Sequence, residues 1–377
     1  MKRIGLIGVT GYGARHLELI KNLADAGAVE LAAAVVINPE QADTALDELK
    51  RRNVRVFAST SEMYGTMKGQ LDLVVIPAGI SAHCPLTLEA LANEAAVLVE
   101  KPAAGCLADV ERMIQARQQF GHPVCVAFQH IYGDDIRQLK QMLVDGVLGG
   151  IRRVSVVGIW PRGDEYYVRN GWAGKRILAN GAFVRDSPVN NAMAHYANLA
   201  LFLCGERFEE SALPVDLEGE CLKCRPEIEM FDTCAFMAKL DRGMPLMVCM
   251  SHNGTPLVQP LIQLACEKGD IAWEASGEWR ATLHTGEVLA GGVTGQPQEK
   301  MYRDVLARLD SPRQFTCSLE IARAHTALVE MMDHKLPVRP LTQDVTKSDA
   351  GYEIRGLATL FDTWRRNFSF AGIEKLR

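Results

Sequence analysis

A glycine-rich turn, Gly8-Val9-Thr10-Gly11-Tyr12-Gly13, stands directly behind an apolar strand (Ile4 to Ile7) and directly ahead of a helix (Ala14 to Asp25). That order constrains the fold more than any other feature of the chain. Phosphates need backbone N–H groups at a helix N-terminus and a turn without bulky Cβ atoms. Gly8, Gly11 and Gly13 supply the glycines. The usual G-x-G-x-x-G spacing runs from Gly8 to Gly13, with Thr10 in its middle position and Gly11 beside it. Glycines alone would also suit a tight turn with no ligand. Between a strand and a helix they point to a dinucleotide site, contacted by Gly8, Thr10, Gly11, Tyr12 and Gly13.

The pattern then alternates. Leu31 to Ile37 is a continuous apolar run, as in a parallel strand covered on both faces. A charged helix follows through Leu49 and Lys50. Val54 to Phe57, Leu71 to Ile76, Ala96 to Val99 and Val124 to Phe128 read as further strands, with helices at Leu86 to Ala92 and Asp109 to Gln119. Strand and helix in turn predict a doubly wound parallel sheet, an N-terminal α/β Rossmann domain over residues 1–128.

After about residue 130 the texture changes. A helix from Ile136 to Val144 is followed by strand-like stretches at Arg153 to Trp160, Ala212 to Leu222, Met230 to Leu240 and Leu246 to Ser251, interrupted by one long helix from Val189 to Leu203. A second helix spans Leu319 to Met332, and residues 342–377 read as a helix plus an irregular tail. This predicts a C-terminal α+β domain, residues 129–377, with a mostly antiparallel sheet. A chain of 377 residues is long enough for two such cores.

Composition narrows the partners. A net charge of -5, with no block of Lys or Arg, leaves no electrostatic footprint for nucleic acid. No apolar run approaches the roughly 18 residues of a membrane helix. The first strand follows Met1-Lys2-Arg3 at once and ends in glycines, unlike a secretory leader. Ten cysteines scattered without a framework fit the reduced thiols of the cytoplasm. Cys221 and Cys224 form one isolated C-x-x-C, with no second pair at zinc spacing, so no metal is expected. His252 and His325 read as core or surface residues.

Two positions bear on the ligand. An acid at the end of the second strand normally accepts the adenosine ribose hydroxyls. Here the strand ends Ile37-Asn38-Pro39, with no acid and no following Arg. Asn38 is open to two roles, bonding a ribose hydroxyl or capping the next helix. The cofactor is therefore NAD or NADP without distinction. Glu100-Lys101-Pro102 closes an apolar strand. Ligands in open α/β sheets sit outside the carboxyl strand ends, which directs Lys101 towards the crevice.

The glycine turn, Pro77-Ala78-Gly79-Ile80-Ser81-Ala82-His83, Val97 to Pro102, Phe128-Gln129-His130 and the helix from His195 to Leu203 together resemble the glucose–fructose oxidoreductase and inositol dehydrogenase family, Gfo/Idh/MocA. The resemblance covers residues 1–205 well and is looser beyond. It implies a Rossmann domain followed by an α/β domain with a large, open, mostly antiparallel sheet. It also implies hydride transfer between NAD(P) and a hydroxyl or ketone carbon of a sugar, inositol or related polyol. Pro77, Gly79, His83, Glu100, Lys101 and Gln129 would join the glycine turn at the cofactor. By resemblance, a homodimer or homotetramer is expected, paired through the exposed sheet face. Non-catalytic dinucleotide sensors and NAD-dependent glycosidases of the same family are the alternatives.

The family's catalytic groups are the lysine of Glu-Lys-Pro and an Asp-x-x-x-His pair. Lys101 and His195 match, but Asn191 stands where the Asp should be. Asn can hold a hydroxyl but cannot accept its proton. Asp186, on the approach loop before Pro188, is the nearest acid upstream and either replaces that carboxylate or caps the helix. As hydride leaves a carbinol carbon, a base within reach must take the hydroxyl proton. Lys101 is the first choice, with His195 as alternative base or orienting donor. Arg162, Trp172 and Asn190 are the expected substrate contacts. Aromatic faces stack on sugar rings, while Arg and Asn read hydroxyls or a carboxylate.

Overall fold

A computed structural model describes residues 1–292, 295–348, 351–371 and 373. Met1–Tyr132 and Gly295–Ala322 form one compact unit, and the rest of the described chain forms another. In the first, β1 (Lys2–Ile7), β2 (Val29–Val35), β3 (Arg55–Phe57), β4 (Leu73–Ile76), β5 (Ala96–Val99) and β6 (Val124–Val126) make one sheet in the order β3-β2-β1-β4-β5-β6. Every neighbouring pair is parallel. β4 and β5 are buried along their whole length, which is why they read as unbroken apolar runs. The order reverses between β1 and β4, so the turn after β1 opens at the switch point where such sheets bind ligands.

Helices α1 (Tyr12–Asp25), α2 (Asp43–Arg51), α3 (Thr60–Met67), α4 (Ile80–Ala92) and α5 (Leu107–Phe120) connect these strands. α4 starts six residues earlier than its sequence suggests. Pro85 lies inside it, beyond the first turn, and gives no N–H to the helix. α3 is absent from the sequence reading, although Ser59 accepts from the Glu62 N–H and Glu62 from the Ala58 N–H, a reciprocal cap.

The second unit holds α6 (Asp134–Val144), α7 (Asp164–Val168) and α8 (Ala194–Leu203). Its sheet comprises β7 (Ile151–Ile159), β8 (Pro214–Lys223), β9 (Thr233–Leu240), β10 (Pro245–Ser251), β11 (Val258–Cys266), β12 (Gly269–Glu274), β13 (Trp279–Leu283), β14 (Val288–Gly291) and β15 (Val338–Pro340). The order is β14-β13-β12-β11-β7-β10-β9-β8-β15. Only the β7–β10 and β8–β15 pairs are parallel, so the sheet is mostly antiparallel, as expected. The expected helix from Val189 is shorter. Residues 187–193 form turns, and α8 begins at Ala194, because Pro188 and two consecutive Asn favour turns over helix.

Helix α9 (Pro297–Asp310) returns to the first unit, which a single division after residue 128 does not capture. α10 (Leu319–Lys335) follows. Residues 342–371 form more than a helix and tail: a hairpin of β16 (Val345–Ser348) and β17 (Gly351–Ile354) precedes α11 (Leu357–Asn367). Phe361 and Trp364 of α11 pack with Val157, Ile159, Met247 and Cys249 on one face of the large sheet. The Trp364 indole N–H donates to the Ala371 carbonyl at 2.8 Å. Part of the sheet is thus covered by the chain's own C-terminal segment. Truncating Trp364 to Ala leaves a cavity in this layer. The expected cost is about 3–5 kcal/mol, read as a lower denaturant midpoint. A midpoint unchanged within error would show that α11 does not hold this face.

Candidate dinucleotide and substrate sites

In the first unit the β1–α1 turn has the geometry of a phosphate cradle. Gly8 and Gly11 have φ of 96° and 56°, and Gly11 precedes the first residue of α1. L side chains rarely adopt these angles. Gly13 is required for another reason: a Cβ there would lie 2.5 Å from the Gly8 carbonyl oxygen. The first N–H groups of a helix have no intrahelical acceptor, and those of α1 open beside this turn.

A cavity of about 550 Å³ adjoins it, lined by Gly8, Thr10, Asn38, Ser59, Thr60 and Gly79 among others, none of them charged. The size and the glycine-bounded approach fit part of a dinucleotide. Of the two roles open to Asn38, the side-chain cap is not formed, and Asn38 lines the cavity. Ser59 and Thr60 were not anticipated. The Ser-x-x-Glu cap at Ser59 is the sequence signal that would have found them. Among the described residues no charged side chain lines this cavity, whereas a neighbouring one that shares Val9 and Thr10 is lined by Glu40, Asp43 and Arg51.

Lys101 follows β5 by two residues, is half-buried, and is joined to Pro102 by a cis peptide bond. The Glu100 carboxylate is bonded within its own unit. It is buried, its Oε1 bonds His16 Nε2 at 2.9 Å, and its Oε2 accepts from the Lys101 backbone N–H at 3.0 Å. The other nitrogen of His16 meets the Tyr302 hydroxyl at 2.7 Å. Burial alone would raise the Glu100 carboxyl, but the His16 bond and the nearby Lys101 charge outweigh it and hold it below its ordinary value. Glu100 therefore orients the Lys101 turn.

His83 is likewise held by groups of its own unit. It is buried inside α4, with its ring nitrogens 2.8 Å from the Pro102 carbonyl and 3.0 Å from that of Ala78. Burial lowers its pKa, so it is neutral and has one N–H to give. Its single N–H donates to one of these two carbonyls. Gln129 opens a short 3₁₀ turn after β6 and is half-buried.

In the second unit Asp186 and Asn191 do meet. Asp186 is buried. Its Oδ2 accepts from the Gly174 N–H at 2.7 Å, and its Oδ1 accepts from Asn191 Nδ2 at 2.8 Å. Asn191 Nδ2 also donates to the Tyr166 hydroxyl at 3.0 Å. His195 is the second residue of α8 and half-buried. Asn190 is buried and its amide donates to the Val184 carbonyl, while its Oδ1 has no hydrogen-bond partner among the described residues.

Arg162 lies over the rings of Trp160 and Tyr166, and Arg169 over those of Tyr166 and Trp172. Trp172 is half-buried. Tyr166 and Tyr167, both on α7, were not foreseen. A five-residue helix has too little periodicity to be read from sequence. The Tyr167 hydroxyl meets Nδ1 of the buried His252 at 2.8 Å. Burial, and next the charge of Asp186, push the Tyr166 hydroxyl up to about 12, so it stays protonated. Among the described residues no cluster of three His, Cys, Asp or Glu is placed to hold a metal. Among the described residues no helix is long and apolar enough to cross a membrane.

A parallel sheet with a phosphate cradle at its switch point, followed by an α+β unit on a large open sheet, defines a class of dinucleotide-binding proteins. Residues 2–128 match the GFO_IDH_MocA model, described as an oxidoreductase family with an NAD-binding Rossmann fold. That match covers the first unit's Rossmann domain, about a third of the chain. It is 29% identical over 150 residues to an inositol 2-dehydrogenase from Salmonella paratyphi B, a match covering 39% of this chain and 43% of that enzyme. The chain thus spans less than half the length of the curated relatives it matches. The WlbA dehydrogenase from Bordetella pertussis, solved with NADH and UDP-GlcNAcA, is similar in fold at a TM-score of 0.71. That match has 21% identity over 88% of this chain and 95% of that one. The aldose–aldose oxidoreductase from Caulobacter crescentus, complexed with glycerol, also reaches 0.71, at 19% identity over 88% and 96%.

Proposed function

We propose that this protein is an NAD(P)-dependent oxidoreductase acting on a CH–OH group of a sugar, inositol or related polyol. The observation that carries this reading is Lys101, held at the carboxyl end of β5 in the unit whose β1–α1 turn forms the phosphate cradle. The bound dinucleotide would supply the hydride acceptor or donor. Gly8, Gly11, Gly13 and the cavity beside Asn38 would hold it. In the oxidative direction the carbinol loses a hydride and its hydroxyl proton, and the Lys101 amine takes the proton. Glu100, fixed by His16, sets the position of Lys101. Asn191, Tyr166 and His195 would bind hydroxyls, and Trp172 would stack on the ring. The ligands of the structural neighbours, a nucleotide-linked sugar acid and glycerol, fit this class.

The test is a panel of sugars and polyols assayed with both NAD and NADP, read as nicotinamide absorbance. Substrate-dependent reduction supports the reading. Tight dinucleotide binding with no turnover on any member defeats it and favours a sensor.

Asp186 would replace the acid that Asn191 lacks, a reading its bond to the Asn191 amide supports. In Asn191→Asp, two carboxylates would sit at the 2.8 Å now spanned by the amide bond. Such pairs share a proton, with one apparent pKa strongly raised. Asn191→Asp is therefore expected to lose activity near neutral pH and to recover it as pH falls through that raised value. A higher kcat at all pH values would show that Asp186 is not the working carboxylate.

A further inference from the structure

The second unit has two arginines that form no ion pair among the described residues, placed beside the polar group just described. Arg162 Cζ lies 5.7 Å from the Trp160 ring centre and 5.3 Å from that of Tyr166. Arg169 Cζ lies 3.5 Å from the same Tyr166 ring and 5.2 Å from that of Trp172. Because they share one ring, the two guanidinium carbons lie within about 9 Å of each other. The hydroxyl of that ring bonds Asn191, which bonds Asp186.

The buried arginines of this unit are neutralised in place. Arg185 pairs with Asp333 at 2.8 Å, and Arg225 with Asp164 at 3.3 Å and Asp232 at 3.5 Å. Among the described residues, neither Arg162 nor Arg169 has a carboxylate within 4.0 Å. Arg162 is half-buried, and its Nε is enclosed without a hydrogen-bond partner. Its Nη1 reaches only the Pro161 carbonyl, at 3.5 Å. The Asp186 oxygens accept from Gly174 and Asn191. The adjacent His252 is held neutral by burial and by the nearby arginines, so the positive charge is that of the guanidinium groups.

A partly buried cation with an unsatisfied N–H is costly unless a counter-ion arrives. A neutral sugar could stack on Trp160, Tyr166 and Trp172 but would leave that cost in place. A carboxylate or phosphate would remove it, because the planar guanidinium fork matches both. We propose that the substrate is an anionic sugar, and that Arg162 and Arg169 bind its carboxylate or phosphate group. This rests on the sugar-oxidoreductase reading and names the substrate class within it.

The experiment compares matched sets (glucose, glucuronate and glucose 6-phosphate; inositol and an inositol phosphate) on the full-length protein with NAD or NADP added. Binding is read by calorimetry and turnover by nicotinamide absorbance. At least one anionic member is expected to bind tenfold or more tightly than its neutral counterpart. In Arg162→Gln and in Arg169→Gln that ratio should fall towards one. Arg169 is exposed, so its variant tests the idea even if Arg162→Gln misfolds. The uronate and phosphate arms identify the oxyanion. Equal binding of neutral and anionic members overturns the proposal, as does a ratio unchanged in both variants or binding by no anionic member. Arginine-dependent anion preference without hydride transfer would keep this inference and defeat the oxidoreductase reading.

Discussion

Lys101→Ala is expected to lower kcat for sugar oxidation by about 10²–10⁴-fold, the range of a positioned general base. That corresponds to about 3–5 kcal/mol of transition-state stabilisation. Dinucleotide affinity, measured by fluorescence titration, should change far less, because the cradle at Gly8 to Gly13 and the cavity beside Asn38 are built from other elements. Lys101→Arg separates charge from proton transfer: arginine keeps the positive charge but does not give up its proton at working pH. If Lys101 is the base, the arginine variant should be nearly as slow as the alanine one. If Lys101 only attracts or orients the substrate, the arginine variant should recover most of the rate. Turnover within tenfold of wild type in Lys101→Ala would remove Lys101 from the chemistry.

The same site shows how far the sequence reaches. The glycine turn and the Glu-Lys-Pro turn were legible because each is a local chain instruction, a backbone conformation that only certain residues permit. The roles of Glu100 and His83 were not, because those depend on partners distant in the chain. Glu100 is spent on His16, which in turn meets Tyr302 from α9, and nothing local predicts that α9 returns to the first unit. Asn190 and Asn191 are adjacent and chemically identical, yet one is buried against Val184 and the other reaches Asp186 and Tyr166. Only the turn geometry of residues 187–193 separates them. The strand β11 was hidden by Pro260, which normally argues against a central strand. The sheet accommodates it with a register shift between Val258 and Leu261. The order of the fold was therefore readable where periodicity is local, and the site where motif residues stand at strand ends. Long-range partners decided the rest.

Gly13→Ala is the other change with a large expected effect, and it tests the cradle apart from the chemistry. The added methyl would sit 2.5 Å from the Gly8 carbonyl oxygen and 2.8 Å from its carbon, both backbone atoms that cannot swing aside. Either α1 withdraws from β1 or the Gly8 turn opens. Both displace the first-turn N–H groups from the phosphate position. Overpacking of this kind costs about 1–3 kcal/mol of stability. Dinucleotide affinity should fall by about 100-fold or more, equivalent to about 2.8 kcal/mol. Gly65→Ala is the matched control. It lies in the interior of α3, where a Cβ meets nothing within 4 Å. There the methyl should be neutral or stabilising by up to about 1 kcal/mol, since glycine is the poorer helix former. Calorimetric titration of both variants with NAD and NADP decides the point. Loss of binding in Gly13→Ala, with Gly65→Ala unchanged, locates the dinucleotide at the β1–α1 turn. Retention of binding within a few fold in Gly13→Ala would place the phosphates elsewhere and remove the basis for assigning Lys101 to hydride chemistry.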